Sequence, residues 1–209
     1  MRSKEASTRI IYVRHGQTDF PLDRIYNDDA EDPQLNAAGV EQARHAAGLL
    51  HNTKVDLICG SPSNRAWATA QAIAQTTSAP LEANTALKER RFGIWDGLFF
   101  DEIERNYPDL YQQWKQNPSA FKPEGGESVY DLLDRVKAVI DGLIEQHKGK
   151  TIVVVSHVGP IRVCLTAALQ MPVELYRQLT IDYASLSRVD YGRSQNNFVY
   201  MNISSKGLG

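Results

Sequence analysis

The side chains suited to chemistry in this chain cluster at the ends of apolar runs. Arg14, His15 and Gly16 follow Ile10-Ile11-Tyr12-Val13, and Ser156, His157 and Gly159 follow Thr151-Ile152-Val153-Val154-Val155. An arginine supplies a permanent planar cation that grips an anion bidentately. An imidazole offers a neutral nitrogen nucleophile or a proton donor near neutral pH. A glycine lets the backbone turn beside the ring without a clash. Arg65 opens an Ala-rich stretch, where the helix dipole disfavours a cation unless an anion sits at the same end. Glu89 stands among Lys88, Arg90 and Arg91, just before Phe92-Gly93-Ile94-Trp95-Asp96-Gly97. Singly, each has a plainer reading: a surface pair for Arg14 and His15, an ion-pair cluster around Glu89, a helix cap for His157. Together they describe a site that binds an anion and moves a proton.

The elements that must position them alternate. Residues 10–13, 55–59, 81–83 and 151–155 read as strands, and their β-branched runs fit burial on both faces. Residues 37–50, with Asn36 as N-cap, 63–75, 128–147 and 158–168 read as helices. Residues 184–189 and 198–202 fit closing strands, and 204–209 a frayed end. Ligands of such sheets bind beyond the carboxyl ends of the strands, where both histidines fall. The alternation predicts an α/β fold: a three-layer α/β/α sandwich with a mostly parallel central sheet. Residues 1–209 are expected to form a single domain, with an irregular, lid-like insertion at about 92–127 that includes helices at 100–107 and 109–116. The acidic segment 19–32 reads as a solvated loop for most of its carboxylates.

Bulk properties narrow the partners. The net charge of −2 gives no electrostatic reason for nucleic acid or an anionic membrane. No apolar stretch is long enough to span a bilayer, and the polar residues 1–9 do not resemble a signal peptide, so a cytoplasmic location is expected. Cys59 and Cys164 read as buried small hydrophobes. His45, His51 and His147 read as structural, and Trp67, Trp95 and Trp114 as packing, with Trp95 also a candidate pocket wall.

Four motifs, in this order and at these spacings, resemble the histidine phosphatase superfamily, also called phosphoglycerate mutase-like. They are Arg14-His15-Gly16-Gln17-Thr18, Ser61 to Ala70 around Arg65, Leu87 to Gly97 around Glu89, and Ser156-His157-Val158-Gly159-Pro160-Ile161-Arg162. The segments Leu35-Asn36-Ala37-Ala38-Gly39 and Gly125-Gly126-Glu127-Ser128 extend the likeness. The resemblance implies a phosphoglycerate mutase-like fold and a reaction through a phosphohistidine. His15 would attack phosphorus. Arg14, Arg65 and His157 would bind the phosphoryl oxygens, assisted by Gln17 and Thr18. Glu89 would protonate the leaving oxygen and then deprotonate water. No metal and no cofactor would be required.

The short connection after Glu89 looks like the phosphatase branch, represented by α-ribazole phosphatases of cobalamin biosynthesis. The expected partner is a small phosphorylated metabolite, with α-ribazole 5′-phosphate the first candidate. A phosphoglycerate mutase-type phosphotransferase is the alternative, with Arg90 and Arg91 available to a second anionic group, and a catalytically inactive binding relative ranks last. A homodimer is compatible with the sequence and not specified by it. Two positions depart from the family pattern: Pro21, where asparagine is common and whose phosphate contact is lost unless Asn27 or a backbone amide replaces it, and Val158, where glycine is common.

Overall fold

The computed structural model describes residues 7–21, 24–25 and 31–204. Expectations for Asp23, Asn27, Asp28 and Asp29, and for residues 1–6 and 205–209, lie outside the described residues.

Six strands form one sheet: β1 (Thr8–Arg14), β2 (Leu57–Gly60), β3 (Leu81–Ala83), β4 (Thr151–Ser156), β5 (Leu186–Tyr191) and β6 (Asn196–Ile203), in the order β3-β2-β4-β1-β5-β6. The first four run parallel, while β5 lies antiparallel to β1 and β6 antiparallel to β5. The helices are α1 (Ala37–Leu49), α2 (Asn64–Thr77), α3 (Phe100–Asn106), α4 (Pro108–Gln116), α5 (Val129–Gln146) and α6 (Val158–Ala168).

Successive strand residues point to opposite faces, and both faces are covered. Ile10, Tyr12, Ile152 and Val154 pack with Leu132, Val136 and Ile140 of α5 and Ile161 and Leu165 of α6. Ile11, Val13, Val153 and Val155 pack with Ala46 and Ala47 of α1 and Ala66, Ala70 and Ile73 of α2. Small alanines let α1 and α2 approach the sheet closely. This is the three-layer architecture read from the sequence.

Element ends follow local chemistry. Asn36 accepts from Gly39 N at 2.8 Å and caps α1. Ser128 accepts from Asp131 N while Asp131 accepts from Ser128 N, a capping box that starts α5. The strand expected from Ala184 begins only at Leu186, because Ala184 takes a left-handed φ of 51° and turns its N–H onto His15 O.

Residues 92–127 hold α3, α4 and a small apolar cluster of their own. Trp95 stacks on Phe121 with ring centroids 4.8 Å apart and meets Trp114 edge-on. Gly97 N donates to Ile25 O, and Ile25 N to Leu98 O, so this cluster is tied to residues 24–25. No helix among the described residues is long and apolar enough to cross a membrane.

Candidate active site

The parallel pairing of β1 with β4 brings the two histidine motifs together. Arg14 pairs with Ser156 in register, and His15 N continues the ladder onto Ser156 O at 3.0 Å. Each histidine therefore leaves the sheet one residue later, on neighbouring strands, with ring centroids 5.1 Å apart.

His15 is 4% exposed, and its Nδ1 lies 2.7 Å from Gly16 O. A carbonyl only accepts, so Nδ1 carries the proton and Nε2 keeps its lone pair. Arg65 Nε donates to that Nε2 at 3.3 Å. Burial, followed by the charges of Arg65 and Arg14, pushes the imidazole pKa well below its usual value and keeps the ring neutral. Gly16 is required by contact: a Cβ there would stand 2.4 Å from Gly39 O.

Arg14 donates through Nη1 to Ile181 O at 2.7 Å, and its guanidinium lies 3.9 Å from the Tyr183 ring centroid. Arg65, 1% exposed, donates through Nη2 to His157 Nδ1 at 3.0 Å. His157 Nε2–H then points to Ser61 Oγ at 2.9 Å. Burial and the Arg65 charge hold His157 neutral, well below its usual pKa. The resemblance implies a donor to phosphoryl oxygens, strongest when protonated; the resting ring instead stands behind Arg65 and fixes it. His157 also occupies the N-cap position of α6 without any side-chain capping bond.

The anion that the dipole argument asks for at the start of α2 is Asp32. Its carboxylate accepts from Asn64 N at 2.9 Å and lies 3.6 Å from Arg65 Nη1. This carboxylate of the acidic segment is structural rather than merely solvated.

Glu89 is not part of a surface ion-pair cluster. Its carboxyl accepts from Arg90 N at 2.8 Å and Gly159 N at 3.3 Å. Burial raises its pKa, against the opposing pull of those N–H groups and of Arg65 and Arg14. The loop that carries it is clamped from behind. Arg135 donates to Ala86 O, Lys88 O and Glu89 O, and bidentately at 2.8 Å to Glu127, which is 2% exposed. Ser156 Oγ donates to Leu87 O at 2.6 Å.

Arg14, His15, Arg65 and Glu89 line one cavity of about 300 Å³, with Pro21 and Val158 also on its wall. Gln17 and Thr18 are not in that lining. Gln17 N donates to Gln42 Oε1, and Thr18 Oγ1 accepts from Phe20 N. Arg90 reaches the wall, but its guanidinium donates to Glu127 O at 2.8 Å and Phe121 O at 3.0 Å. Arg91 turns to Glu127. Trp95 is buried in the 92–127 cluster and does not wall the cavity. The sequence reading missed Arg162, Arg177, Tyr176 and Tyr183, which also line it. Of these only Arg162 gave a sequence signal, as the last residue of the Ser156–Arg162 motif, where it was assigned no role.

The fold and site define a class: an α/β protein with a buried neutral histidine flanked by two arginines and a carboxyl whose pKa burial raises. Residues 10–204 match the Histidine phosphatase superfamily (branch 1), and the chain belongs to that family. A bifunctional protein of Mycobacterium tuberculosis is 37% identical over 185 residues, covering 88% of this chain. The chain spans about half, 50%, of that protein's length. Phosphoserine phosphatase 1 of Hydrogenobacter thermophilus is 29% identical over 197 residues, covering 94% of this chain and 92% of that one. The crystal structure of the α-ribazole phosphatase of Shigella flexneri superposes with a TM-score of 0.84 at 27% identity, covering 93% and 96% of the two chains.

Proposed function

We propose that this chain is a phosphomonoesterase that hydrolyses a small phosphorylated metabolite through a phosphohistidine. The observation that carries the reading is the tautomer of His15: Nδ1–H is held on Gly16 O, which leaves the Nε2 lone pair beside Arg65. In the first step His15 Nε2 bonds to phosphorus and the ester P–O bond breaks. The Glu89 proton passes to the leaving oxygen, and its raised pKa supports that acid role. In the second step the Glu89 carboxylate takes a proton from water, whose oxygen bonds to phosphorus as the P–N bond breaks. Phosphate leaves and His15 regains its lone pair. Arg14 and Arg65 supply the positive charge that the transferred group needs, so the reaction calls for no metal. His157 positions Arg65 by accepting at Nδ1, a role that needs the neutral ring.

As to substrate, α-ribazole 5′-phosphate rests on likeness to a relative of that name at 27% identity. Phosphoserine, named for another relative, has comparable support. Rapid quench with a ³²P-labelled phosphomonoester tests the covalent step. Label is expected on His15, and turnover without any labelled His15 would sink the mechanism. Label passing to an added hydroxyl acceptor instead of water would favour the mutase alternative.

A further inference from the structure

Six arginines line the cavity: Arg14, Arg24, Arg65, Arg90, Arg162 and Arg177. Four are accounted for. Arg14 and Arg65 flank His15, Arg24 is bound to Gly97 O and Glu31, and Arg90 is bound to Glu127 O and Phe121 O. Arg162 and Arg177 remain. Arg162 donates through Nε to Leu179 O at 2.8 Å, an anchor that leaves both Nη groups for the cavity. Arg177 lies over the Trp114 ring at 5.5 Å. Neither forms a salt bridge among the described residues.

The anchors set a distance. Arg14 is tied to Ile181 O and Arg162 to Leu179 O, two residues apart on one segment that is extended at Leu179. Two residues of extended chain span roughly 7 Å. A phosphate held at Arg14 therefore has a second cation within reach of a group only a few bonds from its ester oxygen. A planar carboxylate matches a guanidinium fork, and this wall is cationic and partly enclosed. Burial lowers the pKa of Arg162, and Arg14 and Arg177 act in the same sense, while Tyr176 and Glu89 oppose them.

We propose that Arg162 and Arg177 form a second anion subsite, so that the preferred substrate is a phosphomonoester carrying a carboxylate a few bonds from the phosphate. This rests on the phosphomonoesterase reading above. It assigns to Arg162 and Arg177 the role that the resemblance to mutases suggested for Arg90 and Arg91.

The test compares matched esters: O-phosphoserine against O-phosphoethanolamine, and 3-phosphoglycerate against glycerol 3-phosphate. The ratio of kcat/KM within each pair isolates the carboxylate. The expected ratio in the wild-type chain favours the carboxylated member by about tenfold, and Arg177→Gln or Arg162→Gln collapses that preference, chiefly through KM. The Arg177 side chain makes no hydrogen bond among the described residues, so Arg177→Gln remains informative even where Arg162→Gln fails to fold. A wild-type ratio near one, or a preference untouched by Arg177→Gln, overturns the subsite while p-nitrophenyl phosphate is still hydrolysed. No hydrolysis of any ester, with no labelled His15, overturns the phosphatase reading beneath it.

Discussion

Gly159 and Glu89 are fitted to one another. A Cβ on Gly159 would stand 2.3 Å from Glu89 Oε1, while Gly159 N donates to Glu89 Oε2 at 3.3 Å. The backbone of α6 thus supplies both the space and one hydrogen bond that hold the carboxyl in the cavity. Gly159→Ala displaces the carboxyl without removing it. The expected result is a loss of about 100-fold in kcat for alkyl phosphates, the scale of a 1 Å misplacement. An activated aryl ester, which needs no proton on its leaving oxygen, is expected to lose much less. Equal losses for both ester types would contradict a positioning role for Gly159.

The Glu127–Arg135 pair supports the same carboxyl from the other side. Arg135 holds the carbonyls of Ala86, Lys88 and Glu89 while pairing bidentately with a nearly buried Glu127. Burial alone would raise the Glu127 pKa, but Arg135 and Arg91 N outweigh it and hold the carboxyl below its usual 4.5. The contribution is therefore complete above about pH 4.5 and is lost as pH falls through the lower folded value. Arg135→Met removes the bidentate partner of a buried carboxylate, leaving it only Arg91, and is expected to cost about 3 kcal/mol in urea unfolding at pH 7. Adding Glu127→Gln should restore part of that loss. If the double variant is as unstable as the sum of the singles, the coupling is absent.

Gly16 makes a different demand on the fold, since a Cβ there would stand 2.4 Å from Gly39 O and its N–H donates to Thr69 Oγ1 at 3.1 Å. Gly16→Ala forces β1 and α1 apart and is expected to destabilise by about 1–3 kcal/mol, as overpacking does. Thermal unfolding reads this directly, and a melting temperature matching the wild type would argue against the contact.

These three relationships mark the boundary of what the sequence discloses. The strand ends that carry Arg14, His15 and His157 were legible because a continuous β-branched run has few other readings. The sandwich followed from alternation. Arg65 was legible as a conflict with a helix dipole, but its solution, Asp32, lies 33 residues earlier in a segment of many carboxylates. For Glu89 a surface ion-pair reading stood beside the catalytic one, because its neighbours in sequence are cationic. Its burial comes from Gly159 and Arg135, which only the folded chain brings near. Arg162 reads as an ordinary helix residue until α6 is docked against residues 179–181. Pairings distant in sequence are thus the part that periodicity does not encode.

The pH dependence follows from the same burial. In the proposed mechanism His15 attacks only when neutral, and its pKa lies well below 6.5, first through burial and then through Arg65 and Arg14. The acid limb of kcat/KM therefore falls below pH 6.5. Glu89 must start protonated, and burial raises its pKa above 4.5, so the alkaline limb lies above that value. Glu89→Gln is expected to abolish that limb with an activated aryl ester while leaving the acid limb in place. Stability follows the histidines with a definite sign. The folded protein binds fewer protons than the unfolded chain between the lowered pKa values of His15 and His157 and 6.5. Their effect costs nothing above about pH 6.5 and destabilises as pH falls below it. Urea midpoints measured from pH 7.5 down to 5 should decline, and His157→Gln should flatten that decline. A decline unaltered by His157→Gln would show that the acid sensitivity arises elsewhere.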